Sequence, residues 1–141
     1  MAEQTLLMVK PDAVERGLAG RILARIEAEG FALQRLKLVR LSPAAARRFY
    51  AVHEGRPFLD ALVDYMSSGP VCVVVLERED AIARLRALVG ATDPTEAAPG
   101  TIRREFGIDK RHNAVHASDG PQTAAAEIAF FGLTLDREGG V

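Results

Sequence analysis

Apolar residues along this chain change their spacing repeatedly, and each change marks an element. Residues 5–9 form a short apolar run that ends at Lys10-Pro11-Asp12, which predicts a buried strand entering a turn. Over residues 18–29 the apolar positions Leu18, Ile22, Leu23 and Ile26 follow helical spacing, and Gly30 supplies the stop. Residues 31–41 then alternate: Phe31, Leu33, Leu36, Leu38 and Leu41 stand among Gln34, Arg35, Lys37 and Arg40. That pattern predicts a strand with one wet face and an irregularity near Gln34-Arg35, where the alternation slips. Ser42-Pro43 reads as a cap followed by proline at the first helical position, opening a helix to about Val52.

A second helix is predicted from Pro57, with Phe58, Leu59, Leu62, Val63 and Met66 as its stripe, ending before Ser67-Ser68-Gly69-Pro70. The run Val71-Cys72-Val73-Val74-Val75-Leu76 is continuously apolar, as expected of a strand covered on both faces. Residues 79–89 return to helical period through Ile82, Leu85, Leu88 and Val89. From residue 90 to about 113 the chain reads as loop, punctuated by Pro94, Pro99, Gly100 and Gly107. A short strand over 114–116 and a helix over 123–131 follow, with residues 134–141 as a tail. The order β-α-β-α-α-β-α-loop-β-α predicts an α/β (α+β sandwich) domain of the split βαβ type. Its sheet is expected to be four-stranded and antiparallel, with helices on one face. No repeat or linker divides the chain, so a single domain over 1–141 is expected. A loop of over twenty residues in so small a domain commonly carries function.

Composition narrows the classes. The chain has 141 residues, 48% of them apolar, enough for one well-formed core. Eighteen basic against nineteen acidic residues give a net charge of -1, which argues against a nucleic-acid footprint but leaves room for a small basic pocket. Cys72 is the single cysteine, so no disulfide can form within one chain, and its apolar run predicts a buried thiol. No signal peptide and no membrane-spanning run is legible, so a cytoplasmic protein is expected.

The candidate chemistry centres on Asn113-Ala114-Val115-His116-Ala117-Ser118-Asp119. A histidine, with an unperturbed pKa of about 6.5, offers a neutral nucleophilic nitrogen near pH 7. His116 is flanked by small residues, whereas His53 and His112 read as ordinary surface or interface positions. No GxxxxGK[ST] or GxGxxG occurs, so any phosphate must be held by side chains. Arg86, Thr92, Arg103 and Arg104, with Lys10 at the end of the first strand, are the available donors. His112 and His116 are spaced for a metal only on a helix, and no cysteine or carboxylate stands alongside. Ser118 and Asp119 lie too close in sequence to His116 to line up as a triad, and GxSxG is absent. Phosphoryl transfer through histidine suits this inventory best, with Glu127 as the candidate carboxylate that would orient the ring. Two rivals remain: an RNA-binding module, which would want aromatic central strands, and a regulatory ligand-binding domain that has lost the chemistry.

The heptad around His116 resembles the active-site signature of nucleoside diphosphate kinases, and the likeness extends over nearly the whole chain to about Leu133. Residues 5–12, Arg56-Pro57-Phe58, Ser68-Gly69-Pro70-Val71, Gly90-Ala91-Thr92-Asp93-Pro94 and Pro99-Gly100-Thr101-Ile102-Arg103 follow in the order and spacing of that family. The resemblance implies a ferredoxin-like fold and transfer of the γ-phosphate between nucleoside triphosphates and diphosphates through a phosphohistidine. His116 would be the nucleophile, phosphorylated on Nδ1 and oriented by Glu127, with Ser118 bonded near that carboxylate. Lys10, Tyr50, Arg86, Thr92, Arg103 and Asn113 would hold phosphates or sugar hydroxyls, and Phe58 would stack on the base. Magnesium would arrive on the nucleotide and not in a protein cage. A homotetramer or homohexamer in the cytoplasm is also implied. Three positions depart from the family pattern: Ala13 and Ala117 replace glycines, and Lys110 stands where an apolar residue often covers the base.

Overall fold

The computed structural model describes residues 2–134, so most of the expected tail over 134–141 lies outside the described residues. Four strands, β1 (Ala2–Val9), β2 (Ala32–Val39), β3 (Val71–Glu79) and β4 (Val115–Ala117), form one antiparallel sheet in the order β2-β3-β1-β4. Among the described residues six helices connect them, α1 (Pro11–Glu15), α2 (Ala19–Ala28), α3 (Pro43–Phe49), α4 (Leu59–Met66), α5 (Ala81–Val89) and α6 (Ile102–Phe106), and a seventh, α7 (Pro121–Phe130), follows β4. β3 lies between β1 and β2, and β1 between β3 and β4, so two split βαβ units interlock as in the ferredoxin-like fold.

Helices cover both faces of the sheet, which corrects the expectation of a single covered face. Leu7, Val9, Cys72, Val74 and Leu76 pack with Ile22 and Ile26 of α2, Leu85 and Val89 of α5, and Ile102 of α6. The alternate residues Leu6, Met8, Val71, Val73 and Val75 pack against α3, α4 and α7 through Ala46, Leu59, Val63 and Ile128. Alternation along each strand separates the two sets. The continuous apolar run of β3 is therefore buried on both sides, as its pattern required. Cys72 lies inside the first core, where burial pushes its thiol up.

The irregularity in β2 is present: Leu33 pairs with Leu76 and Arg35 with Val75, leaving Gln34 as an extra residue. Beyond it Leu36 and Leu38 stay 51% and 63% exposed, because β2 is the sheet edge and α2 does not reach over them. Two short helices were not legible in the apolar pattern. α1 and α6 have five residues each, too few to show a period. α1 starts on Pro11, and α6 is capped by the Thr101 hydroxyl, which accepts from the Arg104 amide at 3.3 Å. The helix expected to run to Val52 is α3 followed by a single 3₁₀ turn over Ala51–His53.

Candidate active site

β4 has only three residues, and pairing with the C-terminal end of β1 fixes it. Its position in register places His116 opposite Met8, on the face of the second core. The turn before β4 is unusual. Ala114 has φ 76°, and the Val115 amide donates to the Asn113 carbonyl at 2.9 Å, closing a three-residue γ-turn. A non-glycine residue at that angle is strained, and the Lys10 amide holds it by donating to the Ala114 carbonyl at 2.8 Å.

The Nε2 of His116 lies 2.8 Å from Oε2 of Glu127 on α7, and the Ser118 hydroxyl donates to Oε1 of the same carboxylate at 2.5 Å. An ionised carboxylate only accepts, so Nε2 carries the hydrogen and Nδ1 is the free nitrogen. The ring of Phe49 sits edge-on at 5.3 Å and that of Tyr50 at 6.3 Å, which restricts the imidazole further.

Three cations converge beside this histidine. Lys10 is 6% exposed, and its ammonium donates to Asn113 Oδ1 and the Arg111 carbonyl, each at 2.8 Å. Two of its three donors are thus used. Burial brings Lys10 down to about 8, opposed by the charge of Asp12 and assisted by that of Arg103. Arg103 donates to the Gly90 carbonyl at 3.1 Å and to that of Val115 at 2.9 Å, while its buried Nε has no partner among the described residues. Burial, with Arg86 nearby, lowers Arg103 to about 10. Arg86 donates to the Ala117 carbonyl and meets Asp119, both at 3.3 Å. The Asn113 amide donates to the Thr92 carbonyl at 3.0 Å, joining the long loop to the turn before β4. An orphan guanidinium hydrogen and two desolvated cations, neither in direct ion pairing with a carboxylate among the described residues, make a site short of negative charge.

These groups border one cleft of about 760 Å³. Lys10, Tyr50, Arg86, Thr92, Arg103, Asn113, His116 and Glu127 all line it, and Ser118 lies buried behind Glu127. Phe58 does not line it; that ring stands 40% exposed, edge-on to His53 at 5.1 Å. His53, expected as an ordinary surface or interface residue, borders the cleft, stacked near-parallel on Tyr50 at 6.2 Å. Phe49 and Val52 also line the cleft unforeseen, because the end of α3 carries them there together with Tyr50. Arg104 turns away and donates to the carbonyls of Thr95 and Ala97. Lys110 borders the cleft. The methyl of Ala117 belongs to the first core, on the sheet face opposite the His116 ring, and Ala13 packs in that same core from α1.

A split βαβ sheet that presents a carboxylate-anchored histidine to a cleft of buried cations defines an α/β phosphotransferase domain. Comparison with known proteins agrees. The family model for nucleoside diphosphate kinase matches residues 3–133. A nucleoside diphosphate kinase of Desulfatibacillum aliphaticivorans is 56% identical over 129 residues, 92% of this chain and 94% of that one. The solved nucleoside diphosphate kinase of Aquifex aeolicus superposes with a TM-score of 0.92 at 49% identity, covering all of both chains. The halophilic enzyme of Halobacterium salinarum, solved in complex with CDP, gives 0.91 at 43% identity, covering 100% of this chain and 92% of that one. The chain belongs to the nucleoside diphosphate kinase family, and it is an enzyme that transfers phosphoryl groups between nucleotides.

Proposed function

We propose that His116 carries the phosphoryl group in a ping-pong exchange between nucleoside triphosphates and diphosphates, ATP and GDP among them. The observation that carries this reading is the Glu127–His116 pair, which commits Nε2 and leaves the Nδ1 lone pair as the nucleophile. In the first half-reaction Nδ1 bonds to the γ-phosphorus, the bond from phosphorus to the β–γ bridging oxygen breaks, and the nucleoside diphosphate leaves. The second half-reaction reverses these bonds with a new diphosphate. Glu127 stabilises the positive charge that develops on the ring, and Ser118 fixes the second oxygen of Glu127.

Lys10, Arg86 and Arg103 neutralise the moving phosphoryl group, which is most of what this chemistry requires. Asn113 sets Lys10 through its 2.8 Å bond. Tyr50 and Thr92 border the same cleft, placed to meet sugar or phosphate oxygens. Phe58, at the rim, offers a face on which any base can stack. The family uses a divalent metal. Among the described residues no three His, Cys, Asp or Glu side chains gather as a metal cage. Of the two carboxylates bordering the cleft among the described residues, Glu127 is taken up by His116 and Ser118, and the exposed Asp119, paired with Arg86 through one oxygen, would be the one to face an ion carried in by phosphates. That suits Mg2+, which keeps its waters and would shield the phosphate charge.

We read residues 1–141 as one domain acting in the cytoplasm; no described helix is long and apolar enough to cross a membrane. The open edge of β2, with Leu36 and Leu38 exposed, supports a homotetramer or homohexamer.

The test is incubation with γ-labelled ATP and magnesium. Wild-type protein takes up label that survives base, is lost in acid and leaves on addition of GDP. His116→Ala takes up none; equal labelling of the two proteins would refute the reading.

A further inference from the structure

Behind the cleft, and not lining it, lies a second polar cluster. Asp12, on the first turn of α1, has a side chain only 4% exposed. The Tyr65 hydroxyl of α4 donates to its Oδ1, and the Asp12 amide donates to the same hydroxyl at 2.9 Å. Its Oδ2 receives the Arg16 guanidinium at 3.1 Å. That guanidinium also donates to the Phe106 carbonyl at 2.5 Å, at the end of the helix that carries Arg103. A buried carboxylate needs such partners to stay ionised. None of them touches the cleft, so the phosphate chemistry does not account for the cluster.

Lys10 is the group this cluster faces. It sits two residues before Asp12, and its ammonium stands 5.7 Å from the centre of the Tyr65 ring. The other groups around that ammonium are Asn113 and the Arg111 carbonyl from the turn before β4, the charges of Asp109 and Arg111, and Arg103 from α6. Arg103 and Arg111 oppose a charge on Lys10, while Asp12 and Asp109 favour it, Asp12 more strongly. Asp109 is exposed and engaged by His112 at 2.9 Å, which leaves Asp12 as the buried negative charge.

Building on the phosphohistidine reading, we propose that Asp12, clamped by Tyr65 and Arg16, is a positioning residue and the buried counter-charge for Lys10. Through Arg16 it also links the Lys10 side of the phosphate site to the Arg103 side. The cleft gathers Lys10, Arg103 and Arg86, and among the described residues only Arg86 of the three pairs with a carboxylate, Asp119 at 3.3 Å. The site needs Lys10 charged before the nucleotide arrives, and a carboxylate inside the cleft would repel phosphate. A carboxylate behind the ammonium, tied down by its own donors, meets both requirements.

The experiment is the pH dependence of His116 labelling at low ATP, from pH 6 to 10, which reports ionisations of the free enzyme. Lys10 must be protonated to hold phosphate, so labelling falls on the alkaline side. Asp12→Asn removes the favourable charge and moves that alkaline limb down by about one pH unit. Asp12→Glu keeps the charge and returns the limb toward the wild-type position, at a lower rate because the clamp no longer fits. Arg16→Gln removes a positive charge that competes for the same carboxylate, and moves the limb up. These opposite shifts are not produced by loss of packing alone. If Asp12→Asn does not fold, Arg16→Gln decides. A folded Asp12→Asn protein that loses rate with an unshifted limb, or an Arg16→Gln limb that stays put or falls, overturns the proposal. Wild-type protein that takes up no label overturns the phosphohistidine reading as well, so the two failures are told apart.

Discussion

At the scale of single residues, the site trades stability for function, and Lys10 shows how. Its ammonium is buried among other cations, and its ionisation is brought from 10.5 in solution to about 8 in the fold. Below pH 8 both folded and unfolded chains hold the proton and the full cost is present. As pH rises from 8 toward 10.5 the folded state releases its proton first, so the unfolded state binds more protons and the Lys10 contribution to stability rises. Lys10→Met removes the buried charge with little change of volume. It is expected to raise stability to urea at pH 7 by about 1 kcal/mol, net of two lost hydrogen bonds, while abolishing labelling of His116. A destabilised Lys10→Met protein would show that those two bonds outweigh the desolvation. For Glu127→Gln, loss of the ring's negative partner is expected to slow phosphorylation by about 10- to 100-fold, with nucleotide affinity roughly kept. An unchanged rate would remove its orienting role.

Among the elements, α7 and the turn between Val89 and Thr101 have the most specific consequences. α7 carries Glu127, yet its N-cap is Gly120, extended at φ -165° and without a side-chain bond to the helix. A Cβ there meets nothing within 4 Å. Gly120→Ser is therefore expected to stabilise by a few tenths of a kcal/mol, read as a small rise in Tm, with labelling of His116 preserved. Gly90 is the opposite case. It has φ +89°, its carbonyl accepts from Arg103, and a Cβ would come within 2.7 Å of Thr101, the cap of α6. Gly90→Ala should displace α6 and with it Arg103, at a cost of about 2 kcal/mol or more and with loss of phosphate affinity. Wild-type Tm and nucleotide binding in that variant would mean that the turn is not fixed as described.

For the whole molecule, the two covered faces leave β2 as the exposed edge. Among the described residues its backbone is paired on one side only, and Leu36 and Leu38 are exposed. Sedimentation of the wild-type protein at micromolar concentration is expected to show a tetramer or hexamer. Leu38→Lys, placing a charge on that edge, is expected to shift it to smaller species without a change in fold by circular dichroism. A wild-type monomer would refute the assembly reading.

Much of this architecture was legible in apolar spacing. The three long strands, the bulge at Gln34 and the helices α2, α4 and α5 follow from local period, which the chain alone sets. Helices on both faces were implied by the unbroken run Val71 to Leu76 and missed in the order of elements, because element order does not say on which side a crossover passes. α1 and α6 were too short to show a period, and the strained Ala114 carries no sequence signal, since alanine is not a residue expected at φ 76°. At the site, Lys10, Arg86, Thr92, Arg103, His116 and Glu127 were nameable from residue type and position, whereas Tyr50, Phe58 and Asn113 came only with the family resemblance. The same sequence could not exclude Arg104, which points away, or include Phe49 and His53, which line the cleft. Charge and nucleophilicity belong to the side chain and are present in the sequence. Which side chains share a desolvated space, and so that Asn113 holds Lys10 and Tyr65 holds Asp12, depends on contacts between residues far apart in the chain. Only the packed sheet and its helices decide those.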